Sequence, residues 1–225
     1  MPSNKKLIIF DLDGVLVDTS ETASQYLLDK YPTFTKEIVT DLLIGNYHEE
    51  LAKLELVHAH IVETAEEKAA RKEAYSIKKS NTRMFDGIHG FLKRLHEKKF
   101  ILAINTSAVE KNCLPLLEKL EILNLFDFVG TAEVSKSKVE KFKIIEHKYE
   151  ASNKNTLFVT DTLGDIREAK IAGVPTVAVT WGAHDRSYFT REENENLIAI
   201  VDTIEELEKV IENKSWTKPL IGTKV

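Results

Sequence analysis

The stretch from Leu7 to Thr19, LIIFDLDGVLVDT, constrains this chain more than any other. Four apolar residues, Leu7 to Phe10, run directly into Asp11 and Asp13, and Gly14 follows. A short continuous apolar run bounded by turn residues reads as a strand buried on both faces. Two carboxylates one residue apart at the end of such a strand repel each other, and burial adds a desolvation cost. A bound cation offsets that cost.

The same pattern recurs along the chain. Phe100–Ile104, Phe128–Gly130, Thr156–Val159 and Thr176–Val179 are brief apolar runs, each beside a helical pattern. Ile88, Phe91, Leu92 and Leu95 follow helical spacing, as do Val139, Phe142 and Ile145. Ile166, Ala169 and Ile171 lie on a helix that Gly173 and Pro175 end. Asp202 and Glu205 read as a capping box for a helix over Thr203–Ile211. Strands alternating with helices predict an α/β fold, a Rossmann-like parallel sheet flanked by helices. The segment 20–83 breaks the rhythm, with no strand pattern and a charged, Ala-rich helical stretch from Glu49 to Lys79. That charge run reads as a solvated helix face. The expected organisation is a core of residues 1–19 and 84–225 with a small helical domain, 20–83, inserted after the first strand. Trp216 is expected to pin the tail to the body.

Composition narrows the class. The chain has 225 residues, 43% hydrophobic and 30% charged, which suits a soluble globular protein. A net charge of −5 argues against a nucleic-acid partner. Cys113 is the only cysteine and excludes an intrachain disulfide, consistent with a cytoplasmic setting. No apolar run is long enough to span a bilayer, so no membrane partner is expected. The pattern sets no oligomeric state.

In open parallel sheets, ligands bind beyond the carboxyl ends of the strands. Polar residues fall there repeatedly: Asp11 and Asp13, then Thr106 and Ser107 in LAINTSA, then Asp161 and Asp165 in FVTDTLGD. Lys136 and Lys138 lie between, just ahead of a helix. Strands distant in sequence thus deliver carboxylates, hydroxyls and a lysine to one edge.

These segments resemble the motifs of the haloacid dehalogenase-like superfamily of hydrolases, most of which are Mg²⁺-dependent phosphatases. FDLDGVLVDT resembles the first motif, Thr106 in AINTS the second, the lysine before the Val139 helix the third, and DTLGD the acidic fourth. AGVPTVAVTWG resembles segments of phosphoglycolate phosphatases, and the inserted helices fall where the superfamily places its cap. The resemblance implies that Asp11 attacks phosphorus and forms an aspartyl-phosphate. Asp13 would protonate the leaving oxygen and then activate water, while Thr106, Ser107 and the lysine bind phosphate. Mg²⁺ would be held by Asp11, the main-chain carbonyl of Asp13 and Asp161, with Asp165 binding it or orienting Asp161. Lys138 is the first choice for the lysine. Val139 stands where the superfamily usually has proline, which leaves the register open and Lys136 as the alternative. Thr160 stands where the fourth motif often has glycine.

The implied function is hydrolysis of a small phosphorylated metabolite. Asp13 argues against a dehalogenase, which has no alkoxide to protonate. A phosphomutase and a catalytically silent phosphate-binding regulator are the alternatives. Phosphonate hydrolysis would need a Schiff-base lysine from the inserted helices, where Lys53, Lys68, Lys78 and Lys79 are available. Gly45, Asn46, Tyr47 and Arg83 are candidates to face the substrate. His184 reads as an exposed loop residue, and Cys113 as packing.

Overall fold

The computed structural model describes residues 6–58, 62–213 and 216. Six parallel strands form one sheet: β1 (Leu7–Phe10), β2 (Ile101–Asn105), β3 (Phe128–Gly130), β4 (Thr156–Thr160), β5 (Thr176–Val179) and β6 (Leu197–Val201). Their order is β3-β2-β1-β4-β5-β6, which puts β1 at the centre between β2 and β4. Order reverses at β1, so the crevice beyond its carboxyl end is the topological switch point. The sequence places β2 one residue early and leaves β6 unassigned, although LIAIV is an apolar run of strand length.

Both faces of the sheet are covered, as its apolar strands require. Leu7 and Ile9 pack to one side with Phe142, Ile145 and Ala169, from α7 (Lys138–Lys148) and α8 (Leu163–Ala172). Ile8 and Phe10 pack to the other with Phe91, Leu92 and Leu95 of α5 (Ile88–Glu97). Cys113, Leu116 and Leu117 of α6 (Glu110–Lys119) and Leu207 and Ile211 of α10 (Ile204–Glu212) complete that layer. Burying each such side chain contributes about 1.5–3 kcal/mol. Cys113 is a packing residue there, its thiol pushed up to about 12 by burial. Trp216 is buried in the same layer and donates from Nε1 to the Val210 carbonyl at 3.3 Å, which anchors the tail as expected. The rest of KSWTKPLIGTKV lies outside the described residues. A short helix, α9 (Arg186–Phe189), follows β5.

Two local expectations shift by a residue or more. The α10 cap is Thr203, whose hydroxyl accepts from Glu206 N, while the Glu206 carboxylate accepts from Asp202 N at 2.7 Å. The cap therefore lies one residue later than expected, and because Glu206 reaches the N–H of Asp202 rather than that of Thr203 the pair is not a closed capping box. The Glu49–Lys79 stretch is two helices, α3 (Tyr47–Val57) and α4 (Ala65–Ser80). His58 is extended, and a capping box between Thr64 and Glu67 starts α4 afresh. His60 falls outside the described residues.

Between β1 and α5 the described chain is helical: α1 (Ser20–Lys30), α2 (Lys36–Asp41), a 3-10 turn over Leu42–Ile44, then α3 and α4. These helices have their own apolar cluster, built on Leu27, Tyr31, Phe34, Val39 and Leu42. The two connections to the sheet run side by side. Asp18 N donates to the Arg83 carbonyl at 3.0 Å, and Phe85 N to the Leu16 carbonyl at 3.2 Å. Arg83 itself is exposed.

The helical insert rests on the first turn of α8. Arg167 donates to the Ile44 carbonyl at 2.9 Å. His184 is fully buried rather than exposed: Nδ1 accepts from Leu163 N at 3.0 Å, and Nε2 lies 3.1 Å from the Thr40 carbonyl. It is the tertiary approach of the insert that buries it. At Gly164 a Cβ would strike the Gly45 and Leu43 carbonyls. Gly164→Ala therefore sets a helix-propensity gain of about 1 kcal/mol against an overpacking cost of about 1–3 kcal/mol. The expected outcome is a lower urea midpoint for the variant, because the clash is with backbone that cannot swing aside.

Among the described residues no helix is long and apolar enough to cross a membrane.

Candidate active site

β1, β2 and β4 end side by side, so their next residues share one crevice. Asp11, Asp13, Thr106, Ser107 and Asp161 all line a cavity of about 580 Å³ there, closed over by residues of α1, α3 and α4. Gly14 turns the chain away after Asp13 with φ +78°, where a side chain would collide with the Asp161 carboxylate. Only glycine meets both demands.

Asp11 is buried. Its Oδ1 accepts from Leu12 N at 2.8 Å, and its Oδ2 lies 3.0 Å from Lys138 Nζ. Lys138 is itself 2% exposed, and its ammonium also donates to Asp165 Oδ2 at 2.5 Å. Thr160 donates its hydroxyl to the same oxygen at 2.7 Å. The residue that replaces the usual glycine thus holds Asp165. Lys138 is set at the first position of α7, where Ser137 caps the helix and Glu168 accepts from Lys138 N at 2.9 Å. Lys136 is exposed, whereas Lys138 is buried with its ammonium on Asp11, so of the two lysines it is Lys138 that reaches the acids.

The electrostatics are those of too many acids for one lysine. Burial pushes the Asp11 carboxyl well above its ordinary range, with Lys138 opposing and Asp165, Asp161 and Asp13 adding to the push. Burial raises Asp161 to about 7. Burial acts on Asp165 in the same direction, but the Lys138 ammonium and the hydrogen bonds outweigh it and hold this carboxyl below the usual range. Lys138 is raised despite its own burial, because Asp11 and Asp165 flank it.

Asp161 Oδ2 accepts from Ala183 N at 2.7 Å, whereas its Oδ1 is buried with no hydrogen-bond partner. A buried carboxylate oxygen with no donor has the character of a metal ligand awaiting its ion. Among the described residues no three His, Cys, Asp or Glu side chains converge on one point. Mg²⁺ takes one or two carboxylates and completes its octahedron with water, phosphate and carbonyl oxygens, and Asp11, Asp161 and the Asp13 carbonyl are oxygen donors of that kind on this cavity wall. The Asp165 carboxylate is held by Lys138 and Thr160 rather than against Asp161.

Thr106 is buried at the end of β2, and its Oγ1 accepts from Ala108 N at 3.0 Å. Ser107 is half-buried on the cavity wall. Tyr47 lines the cavity, but Gly45, Asn46 and Arg83 do not. Gly45 is a docking point and Asn46 caps α3 through His48 N and Glu49 N. Of the four lysines named for the insert, Lys79 alone lines the cavity, and Lys72, which the sequence reading passes over, joins it from the same helix. Lys79 is 3% exposed, and its ammonium is 2.8 Å from the Asp13 carboxylate. Thr19 donates to Asp13 Oδ1 at 2.7 Å. The charge run on α4 is therefore not solvated throughout. Helical spacing carried the signal, since Lys72, Tyr75 and Lys79 share one face.

The family model for haloacid dehalogenase-like hydrolases matches residues 8–179. The chain belongs to that family. It is 27% identical over 191 residues to a phosphoglycolate phosphatase of Pseudomonas putida, covering 79% of this chain and 70% of the relative. It is 26% identical over 216 residues to the tyrosine-protein kinase PtkA of Mycobacterium tuberculosis, covering 92% of this chain and 72% of that protein. A solved haloacid dehalogenase-like hydrolase from Streptococcus pneumoniae superposes with a TM-score of 0.72 at 19% identity, covering 91% of this chain and 97% of the other. This likeness supports the fold.

Removing the Lys138 charge leaves two buried carboxylates without their cation, which costs about 3–5 kcal/mol. Lys138→Met is expected to lose that much stability in urea unfolding, while Lys136→Met stays within about 0.5 kcal/mol of the parent.

Proposed function

We propose that this member of the family is a Mg²⁺-dependent phosphatase that hydrolyses a small phosphorylated metabolite through an aspartyl-phosphate on Asp11. The observation that carries the reading is the unpartnered Asp161 Oδ1, buried in the same cavity as Asp11, Asp13 and Thr106. Asp11, Asp161 and the Asp13 carbonyl would hold the ion, which when bound neutralises phosphoryl charge and cancels the mutual repulsion of the acids.

Asp11 attacks phosphorus, with Lys138 holding its carboxylate and balancing the charge that develops. Thr106 and the main-chain N–H groups after β2 bind the phosphoryl oxygens. Asp13 gives a proton to the leaving oxygen, then takes one from the water that cleaves the aspartyl-phosphate. Residues 20–83 act as a cap that closes over the bound ester and keeps water from the first step. A complete acid/base pair is superfluous in a mere phosphate binder, which favours turnover over a silent regulator. Asp13 holds Lys79 in its charged form, and an ammonium cannot start a Schiff base, which disfavours phosphonate hydrolysis.

The leaving group is addressed by the cap side of the cavity. Asp11, Asp13 and Asp161 are the only acids among its described lining, whereas Lys72 and Lys111 line it and make no ion pair with any described residue. That asymmetry and the phosphoglycolate phosphatase relative favour a phosphoester carrying a second anionic group.

The test is phosphate release from p-nitrophenyl phosphate and from a panel of small phosphometabolites, with Mg²⁺ or with EDTA. Release is expected only with the metal, and Asp11→Asn should reduce it to background while remaining folded. Release that survives in Asp11→Asn removes the nucleophile and the mechanism with it. Asp161→Asn is expected to raise the Mg²⁺ concentration for half-maximal rate by about tenfold or more, since even indirect partners of metal ligands matter that much. Substrate isomerisation without phosphate release would make the enzyme a mutase.

A further inference from the structure

A second lysine of α7 is buried beside the site and takes no part in the chemistry above. Lys141 is 0% exposed, and it makes no ion pair with any described residue. Its ammonium donates to the Thr106 carbonyl at 2.5 Å, its one hydrogen bond among the described residues. Its stem runs along β3, where a Cβ on Gly130 would lie 3.4 Å from Lys141 Cδ. An ammonium taken out of water with no carboxylate against it is costly. Lys138 offsets that cost with Asp11 and Asp165, and Lys141 has no such pair. Burial and the Lys138 charge push the Lys141 amine down to about 8, against the pull of Asp11 after β1 and of Asp165 and Glu168 on α8. His48 of α3 and Glu133, ahead of α7, also lie within its field.

The carbonyl that Lys141 holds belongs to the segment that binds phosphate. Thr106 is fixed at three points. Its N–H donates to the Gly130 carbonyl at 3.0 Å, its Oγ1 accepts from Ala108 N at 3.0 Å, and its carbonyl accepts from Lys141. The Thr106–Ser107 peptide is trans, so its carbonyl and the Ser107 N–H point in opposite directions. With the carbonyl turned to Lys141, the Ser107 N–H is turned away from it. That N–H has no acceptor among the described residues, and Thr106 and Ser107 both line the cavity. A carbonyl that accepts from an ammonium is also polarised, which makes the N–H of the same peptide a stronger donor.

We propose that Lys141 is a positioning residue for the phosphoryl group: it grips the Thr106 carbonyl from behind, turns the Ser107 N–H toward the phosphoryl oxygens and adds a second cation to their site. The inference rests on the phosphatase reading above and adds to it the residue that orders the oxygen-binding peptide. A bound phosphate is the anion that Lys141 lacks, so binding favours the ammonium. The complex then holds a proton that the free protein has partly lost above pH 8. Affinity for phosphate therefore falls as pH rises through that value. Lys138 does not titrate in the same window, because its two carboxylates raise it.

The test is the Kd for inorganic phosphate, read by titration calorimetry with Mg²⁺ present, for the parent, Lys141→Met and Lys141→Gln. Between about pH 7.5 and about pH 9 the parent Kd is expected to rise by close to tenfold, the effect of one linked proton. Lys141→Met is expected to bind about tenfold or more weakly at the lower pH, which is what a hydrogen bond from a charged group is worth, and to lose the rise. Lys141→Gln keeps a donor for the Thr106 carbonyl without the charge, so it should recover part of the affinity and none of the pH dependence. A Lys141→Met Kd equal to the parent's would overturn the proposal. So would a weaker Kd that keeps the parent's pH dependence, which would leave Lys141 a structural residue. If Lys141→Met does not fold, Lys141→Gln decides, and the parent's pH dependence in that variant sinks the proposal. Release of phosphate from the ester panel is followed in parallel. A parent that binds phosphate but releases none from any ester fails the phosphatase reading alone. A parent that releases phosphate while Lys141→Met binds it as the parent does fails this inference alone, and a parent that binds no phosphate overturns both.

Discussion

The Lys138 ammonium, held between Asp11 and Asp165, is the contact on which the site depends. Three carboxylates are buried at the end of a parallel sheet, and a single lysine reaches two of them. Without that ammonium the local charge is prohibitive. With it the cluster is tolerable but still short of positive charge, as the raised Asp11 and Asp161 carboxyls record. The proposed cation would relieve that excess, and the Asp161 oxygen with no hydrogen-bond partner among the described residues is where the excess is most local.

The fold supplies this concentration of charge by geometry. Parallel pairing of β1 with β2 and β4 aligns three carboxyl ends, so the residue after each strand enters the same crevice. The helices then fix the remaining groups. Ser137 and Glu168 set the first turn of α7, and with it the origin of the Lys138 side chain. Thr162 caps α8, whose first turn carries Asp165 inward and offers Gly164 as the flat surface for the insert. The same short segment therefore serves the charge cluster and the docking of the helices above it. Through Lys79, that docking reaches back to Asp13.

Much of this was legible along the chain because it is local. Asp11, Asp13, Thr106 and Asp161 each follow an apolar run directly, and a parallel sheet needs no further information to bring strand ends together. The choice between Lys136 and Lys138 was not local. Both precede α7, and only packing against β1 and α8 buries one and leaves the other in water. His184 and Lys79 failed for the same reason. A histidine in a loop and a lysine in a charged helix are solvated by default, and each is buried here by a segment more than 60 positions away. The edge strand β6 has a clear apolar pattern but carries no functional residue at its end, so nothing drew it out.

The sequence by itself determined the alternation of strands and helices, the helical insertion after the first strand, and the set of acids that ends the central strands. These follow from periodicity and from neighbours within a few residues, which the chain carries in its order. Only the tertiary structure decided which lysine meets the acids, which oxygen of Asp161 is left without a donor, and how the insert touches Asp13. Those facts depend on distances between remote segments and on the loss of water around them, and burial is a property of the packed molecule rather than of any stretch of chain.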